Sequence, residues 1–243
     1  NALYKFIWNV FCDWYLELAK PILNGDDEAA KAEIRAMTAW VLDQAMILLH
    51  PVMPFITEEL WEKTGHSDML IAHSWPKFDA SAIDAEADEE INWLIDLISE
   101  IRSIRSEMNV PGSARAPLSL SGASDVTATR LKTHEDLILF LGRLSEVKVG
   151  EAAAGSVPFV AGEATAHLAI AEFIDLKAET VRLAKGIADS DKTIEGVRRK
   201  LDNPAFVSKA PEEVIAENRE RLEEAENGKA KLSAALERLK AAS

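Results

Sequence analysis

Two runs of mostly apolar residues near the C terminus constrain the fold more than any other feature. The first run consists of Leu176, Thr180, Leu183, Ile187, Ser190, Ile194, Val197 and Leu201. The second consists of Ile215, Asn218, Leu222, Ala225, Lys229, Leu232, Leu236 and Leu239. Alternating spacings of three and four are those of coiled-coil a and d positions, and Pro204 and Pro211 interrupt the helices between the runs. The sequence therefore predicts an antiparallel two-helix arm over residues 176–243.

The rest of the chain predicts a helical bundle over residues 1–112 and a small α+β module over residues 113–175. Helical periodicity runs from Leu3 to Pro21, then to Leu49, then from Pro54 to about Thr64. The module is predicted to contain helices over 124–132 and 134–144 and strands over 116–121, 146–149, 157–160 and 166–173. The expected fold class is thus mainly α, with a bundle, a small α+β module and a coiled-coil arm.

The last bundle helix is expected to cover Glu90 to Pro111. Beside its apolar stripe, Arg102, Arg105 and Asn109 form a second row at spacings of three and four, which predicts two guanidinium groups and an amide on one helix edge. A solvent-exposed edge whose arginines pair with Glu100 or Glu107 is the alternative interpretation.

Charge and cysteine content limit the kinds of partner and compartment. The net charge is −14, but the acidic excess lies in residues 1–176, and residues 177–243 are close to neutral. Any RNA binding would therefore depend on local patches rather than on overall attraction. A single cysteine, Cys12, allows neither an internal disulfide nor a multi-cysteine zinc site, and a reducing cytoplasm is the expected compartment. No apolar run has the length of a membrane span, so no membrane partner is expected.

Three long motifs carry a family resemblance. HPVMPFITEELW begins at His50, IRSIRSEMNVPGSARAPL begins at Ile101, and LDNPAFVSKAPEEVIAENRERLEE begins at Leu201. The chain resembles the C-terminal portion of the valyl-tRNA synthetases, a family of class I aminoacyl-tRNA synthetases, in which an anticodon-binding bundle precedes a coiled-coil arm. The family's two ATP-handling signatures, His-x-Gly-His and Lys-Met-Ser-Lys-Ser, do not occur in this sequence. We therefore expect catalytic and editing domains to precede Asn1.

The resemblance implies a tRNA-binding portion of valine--tRNA ligase that is inactive alone, with valine tRNA as partner, no DNA partner and a monomeric state. No cofactor, metal site or catalytic residue is expected in this portion, whereas ATP with Mg²⁺ would act in the absent catalytic domain. The residues expected at the anticodon are Arg102, Arg105, Asn109, Arg115, Lys5 and Asn9. The residues expected to contact tRNA phosphates from the arm are Arg182, Lys192, Arg198, Arg199, Lys200 and Lys209.

Two alternatives remain open at this point. The equivalent portion of an isoleucine or leucine enzyme would share the bundle, although the C-terminal hairpin favours the valine enzyme. A helical adaptor would use its coiled coil to bind other proteins, and it predicts an exposed apolar seam without tRNA binding.

Overall fold

The chain folds into two compact units, residues 1–95 and residues 96–243, in a computed structural model that describes residues 1–241. The boundary falls inside the long helix α5 (Ala85–Glu107). The last two residues of the predicted arm lie outside the described part. The predicted fold class is confirmed, because among the described residues helices form most of the structure and one small sheet lies in the second unit.

The first unit is helical. Helix α1 (Ala2–Lys5) continues into a π-helical stretch (Phe6–Tyr15) and then α2 (Leu16–Asn24), followed by α3 (Glu28–Leu49) and α4 (Pro54–Lys63). Pro21 lies within α2, so the prediction that this proline ends the helix is wrong. Short 3₁₀ turns at Leu70–Ala72 and Ala80–Ala82 precede α5. Met46, Ile47, Trp61 and Leu70 form the buried cluster of this unit.

The first helical segment is only partly buried within this unit. Only Phe11 and Ala19 are buried between residues 2 and 24, whereas the side chains of Trp8 and Val10 are about half exposed. A π-helix turns more slowly than an α-helix, so a stripe chosen at α-helical spacing drifts across its surface.

The second unit is built on a four-stranded sheet of order β2-β1-β4-β3. Strands β1 (Ala116–Ser121) and β2 (Leu144–Val149) are parallel, and α6 (Asp125–Thr133) and α7 (Glu135–Gly142) form the crossover between them. Strand β4 (Ala164–Ala169) pairs antiparallel with both β1 and β3 (Ser156–Ala161). Ile101 and Ile104 from the C-terminal half of α5, and Met108 just after the helix, are completely buried and join the core of this unit.

The arm consists of α8 (Leu176–Leu201) and α10 (Glu212–Ala241), joined by the short helix α9 (Pro204–Val207). All sixteen predicted a and d residues are buried or half-buried, so the predicted seam between the two helices is confirmed. The base of the arm is tied to the end of α5. Arg182 donates from Nη2 to the carbonyl oxygen of Glu107 at 2.7 Å, and Nη1 of Arg238 lies 3.3 Å from a carboxylate oxygen of Glu107.

Three glycines in the arm predict different responses to alanine. A Cβ atom at Gly196 or Gly228 would meet no other atom within 4 Å, so each change should raise the free energy of unfolding by about 0.5–1 kcal/mol through helix propensity. At Gly186 the added Cβ would lie 3.0 Å from Cδ1 of Leu232, and displacement of that side chain should offset the gain. Urea unfolding of the three single variants measures the difference. Equal stabilisation by all three would contradict the close approach of the two helices at Gly186.

Candidate nucleic-acid interface

Arg105 forms the buried centre of the candidate site. It is only 7% exposed, and its guanidinium donates to the carbonyl oxygens of Ala114 at 2.8 Å, Pro111 at 3.2 Å and Arg143 at 3.4 Å. Burial lowers the pKa of this guanidinium, and the nearby charges of Arg143 and Arg115 lower it further. The residue still carries its charge at neutral pH, because the ordinary pKa of arginine is above about 12. Arg105 thus holds the loop after α5 in place and is shielded from solvent.

Arg102 lies one turn before Arg105 and is exposed. Its Nε donates to the carbonyl oxygen of Leu141 at 3.1 Å, which ties α5 to the end of α7. Arg102 and Arg105 therefore lie next to each other on α5, as predicted. The two side chains differ in accessibility, however, since only Arg102 presents a large surface to solvent.

Asn109 does not belong to the helical row. Helix α5 ends at Glu107, and Asn109 has a positive φ of 49°. The backbone N–H of Asn109 donates to the carbonyl oxygen of Ser106 at 3.2 Å, and the backbone N–H of Val110 donates to that of Arg105 at 2.8 Å. These two bonds are those of a Schellman motif. The prediction that the helix runs to Pro111 is corrected, because asparagine tolerates the left-handed conformation that ends the helix earlier. Asn109 remains exposed.

Arg143 is a residue of this site that the sequence did not reveal. It follows α7 in the left-handed conformation, with φ 53° and ψ 54°, and its Nη1 donates to Gly112 O at 2.8 Å. Together with Arg102 and Arg105 it lines a concavity of about 450 Å³, which we call the arginine pocket. The Gly142-Arg143 pair marks the end of a helix in the sequence, but nothing local indicates that Arg143 lies opposite the end of α5.

The remaining residues expected at the anticodon are exposed and are divided between the two units. Arg115 follows the loop that Arg105 holds, within electrostatic reach of Arg105. Lys5 and Asn9 are exposed on the first helical segment and belong to the first unit. Arg102, Arg105, Asn109 and Arg115 belong to the second unit.

Several arm cations are paired with acidic side chains. Nζ of Lys192 lies 3.1 Å from Asp189, Arg199 lies 2.6 Å from Glu195, and Arg198 bonds across the hairpin to Glu226. Glu226 belongs to the returning helix α10, so this pair joins residues that are distant in sequence. Within residues 1–241, Lys200 and Lys209 are exposed and form no ion pair, and we call these two the tip lysines.

Arg182 lies at the base of the arm rather than along its free length. It bonds to Glu179 on its own helix as well as to the backbone of Glu107. The hydrogen bond that Arg182 donates to the carboxylate of Glu179 is the main cause that raises the pKa of Arg182. This arginine therefore joins α8 to α5, and its guanidinium is already engaged by two partners.

The two parts of the chain match two known families. Residues 1–120 match the family described as the anticodon-binding domain of tRNA ligase, which defines the class of this chain. Residues 175–240 match the family described as the valyl tRNA synthetase tRNA binding arm. Residues 1–120 therefore belong to the anticodon-binding domain family of the tRNA ligases, and residues 175–240 belong to the tRNA binding arm family of the valyl tRNA synthetases.

Curated relatives agree with this assignment. Proteins named valine--tRNA ligase from Caulobacter vibrioides, Rhizobium meliloti and Mesorhizobium japonicum are 61%, 50% and 47% identical to it. The alignments cover 98%, 98% and 99% of this chain but only 27%, 26% and 26% of the relatives. The chain therefore spans about a quarter of their length. These matches do not favour an isoleucine or leucine enzyme or an unrelated adaptor. Across the described residues, no helix is both long and apolar enough to cross a membrane.

Proposed function

We propose that this chain binds valine tRNA, with the bundle and the end of α5 at the anticodon stem-loop and the arm along the tRNA core near its elbow. It would support the ATP-dependent attachment of valine by catalytic domains in the part of the relatives that it does not span. ATP and Mg²⁺ would act in that part. We further propose a monomeric cytoplasmic protein that does not bind DNA.

The observation that carries the proposal is the closed seam of the arm. The apolar a and d residues of α8 face those of α10, so the arm leaves polar and charged side chains on its outer surface. A protein-binding coiled coil would instead need an unpaired apolar stripe. Together with the match of residues 175–240 to a tRNA-binding arm, the exposed tip lysines favour a phosphate backbone as the partner.

At the anticodon, exposure decides which of the expected residues we propose as contacts. Arg102, Arg115 and Asn109 are exposed in the second unit, and Lys5 and Asn9 are exposed in the first. Guanidinium planes and amides suit the unstacked bases of an RNA loop. Arg105 would act indirectly, by fixing the loop that carries Arg115.

Along the arm, we propose the tip lysines as the main phosphate contacts. Arg198, Arg199 and Lys192 would have to exchange an intramolecular carboxylate for an RNA phosphate, which reduces their net contribution. Arg182 would position the base of the arm.

We propose three functional segments, namely the bundle over residues 1–112, the small α+β module over residues 113–175 and the arm over residues 176–243.

The double variant Lys200→Glu and Lys209→Glu tests the role of the arm. A hydrogen bond to a charged group contributes roughly 1.5–3 kcal/mol when shielded, and discounting for exposure predicts a roughly tenfold weaker affinity for valine tRNA. The dependence of log K on log salt should also become less steep by about 2, one for each lost phosphate contact. Filter binding at several salt concentrations measures both quantities.

Arginine at the same two positions is the matched control, because it keeps the charge and should keep the affinity. The proposed contact of the arm would be contradicted if the glutamate variant bound valine tRNA as tightly as the unmodified chain, with the same salt dependence.

A further inference from the structure

The arginine pocket brings three guanidinium groups to one concavity of about 450 Å³. Besides Arg102, Arg105 and Arg143, its described lining consists of Ser106, Val110, Gly112, Leu141 and Gly142. This lining includes the hydroxyl group of a serine and two glycines, but no aspartate or glutamate. The pocket therefore combines positive charge, hydrogen-bond donors and room for a small group.

The partners of Arg105 and Arg143 explain why the pocket remains positive. Within the described residues, both side chains donate to backbone carbonyl oxygens, which orient a guanidinium without cancelling its charge. The positive charges of Arg143 and Arg115 repel the positive charge of Arg105, so the cluster of arginines is electrostatically unfavourable without an anion. A bound anion would relieve this repulsion, and arginine's planar fork suits the oxygens of a phosphate.

The backbone of Arg143 gives a second, independent observation. A residue with a Cβ atom is strained at φ 53°, and helices that end in this conformation usually place glycine there. The strained position carries an arginine whose side chain lines the pocket. Backbone strain of this kind is commonly retained at ligand sites.

We propose that the arginine pocket binds one phosphate group, which is a backbone phosphodiester when the chain is bound to tRNA. Arg143 and Arg102 donate to its oxygens, and the buried Arg105 contributes positive charge to the pocket. The identity of the phosphate as part of RNA rests on the proposed function, whereas the affinity of the pocket for phosphate does not.

The variant Arg143→Gly separates ligand binding from folding. Glycine relieves the strained backbone, so the melting temperature should stay the same or rise while the phosphate site loses a guanidinium. Titration of the chain with inorganic phosphate at constant ionic strength, followed through the amide resonances of Gly112 and Gly142, should give a dissociation constant raised roughly tenfold or more. Ser106→Asp should have the same effect, because its carboxylate would occupy the pocket from within.

Arg221→Ala is the control for net charge, because Arg221 is exposed on α10 and outside the pocket. It should leave phosphate binding unchanged. Unchanged phosphate binding in both Arg143→Gly and Ser106→Asp, or no saturable shift in the unmodified chain, would overturn the site.

Filter binding of valine tRNA to the same variants identifies the source of the phosphate. A roughly tenfold loss in Arg143→Gly supports the phosphodiester. If phosphate binding is lost but tRNA affinity is unchanged, the RNA assignment is overturned and free phosphate is the ligand. If the unmodified chain binds phosphate but no tRNA, the proposed function fails while the phosphate site stands.

Discussion

Replacing Arg105 by alanine is expected to lower the free energy of unfolding by about 3–5 kcal/mol, since a buried charged group with several partners is lost. Its guanidinium donates to three carbonyl oxygens, of which that of Ala114 is in a buried bond. The truncation leaves these acceptors without their donor and opens a cavity beside α5. Urea unfolding of the variant and the unmodified chain measures the loss.

Arg102→Ala is the matched control, because it removes the same side chain one turn earlier from an exposed position. Its cost should stay below about 1.5 kcal/mol. Arg105→Lys should remain strongly destabilised, since a lysine cannot reach three acceptors with a planar fork. A loss below about 1 kcal/mol in Arg105→Ala would show that the buried bonds do not hold the loop after α5.

The second large effect is expected at Gly155, just before β3. Its φ is +70°, and a Cβ atom there would lie 2.3 Å from Cβ of Ala171. Gly155→Ala must therefore adopt a strained backbone and also displace the chain after β4, whose Ile170 and Ala171 amides donate to Gly155 O. We expect a loss of about 2–4 kcal/mol in the free energy of unfolding, measured by urea or thermal denaturation.

Gly122→Ala separates the two causes. Gly122 has nearly the same φ, +71°, but an added Cβ would meet nothing within 4 Å. This variant should lose only about 1–2 kcal/mol, the cost of the backbone conformation. Equal losses in the two variants would contradict the predicted steric overlap at Ala171.

The arm and the sheet could be predicted because their determinants are local in sequence. The spacing of three and four from Leu176 to Leu239 identifies the seam, and strand β1 occupies the predicted residues Ala116–Ser121. The side-chain oxygen of Ser124 accepts from the backbone N–H of Thr127 and caps α6, which begins at Asp125, one residue after the predicted start.

The details of the site depend on contacts between residues distant in sequence. Arg105 has the same spacing whether its side chain points to solvent or to the loop at Ala114, so periodicity could not reveal its burial. Likewise, Glu226 pairs with Arg198 only because the hairpin brings two distant helices together. Arg143 lies near the end of α5 because the crossover connection between β1 and β2 brings it there, and no local sequence pattern indicates this placement.

The most direct test of the account is the affinity of the 243-residue chain for valine tRNA, compared with the same tRNA carrying a changed anticodon. Filter binding at fixed salt should give the lowest dissociation constant for valine tRNA. The anticodon change should weaken the contribution of the bundle to binding but keep the contribution of the arm. The double variant Lys200→Glu and Lys209→Glu should remove the contribution of the arm. Equal affinity for both tRNAs, together with no effect of the tip variant, would contradict binding at either proposed contact.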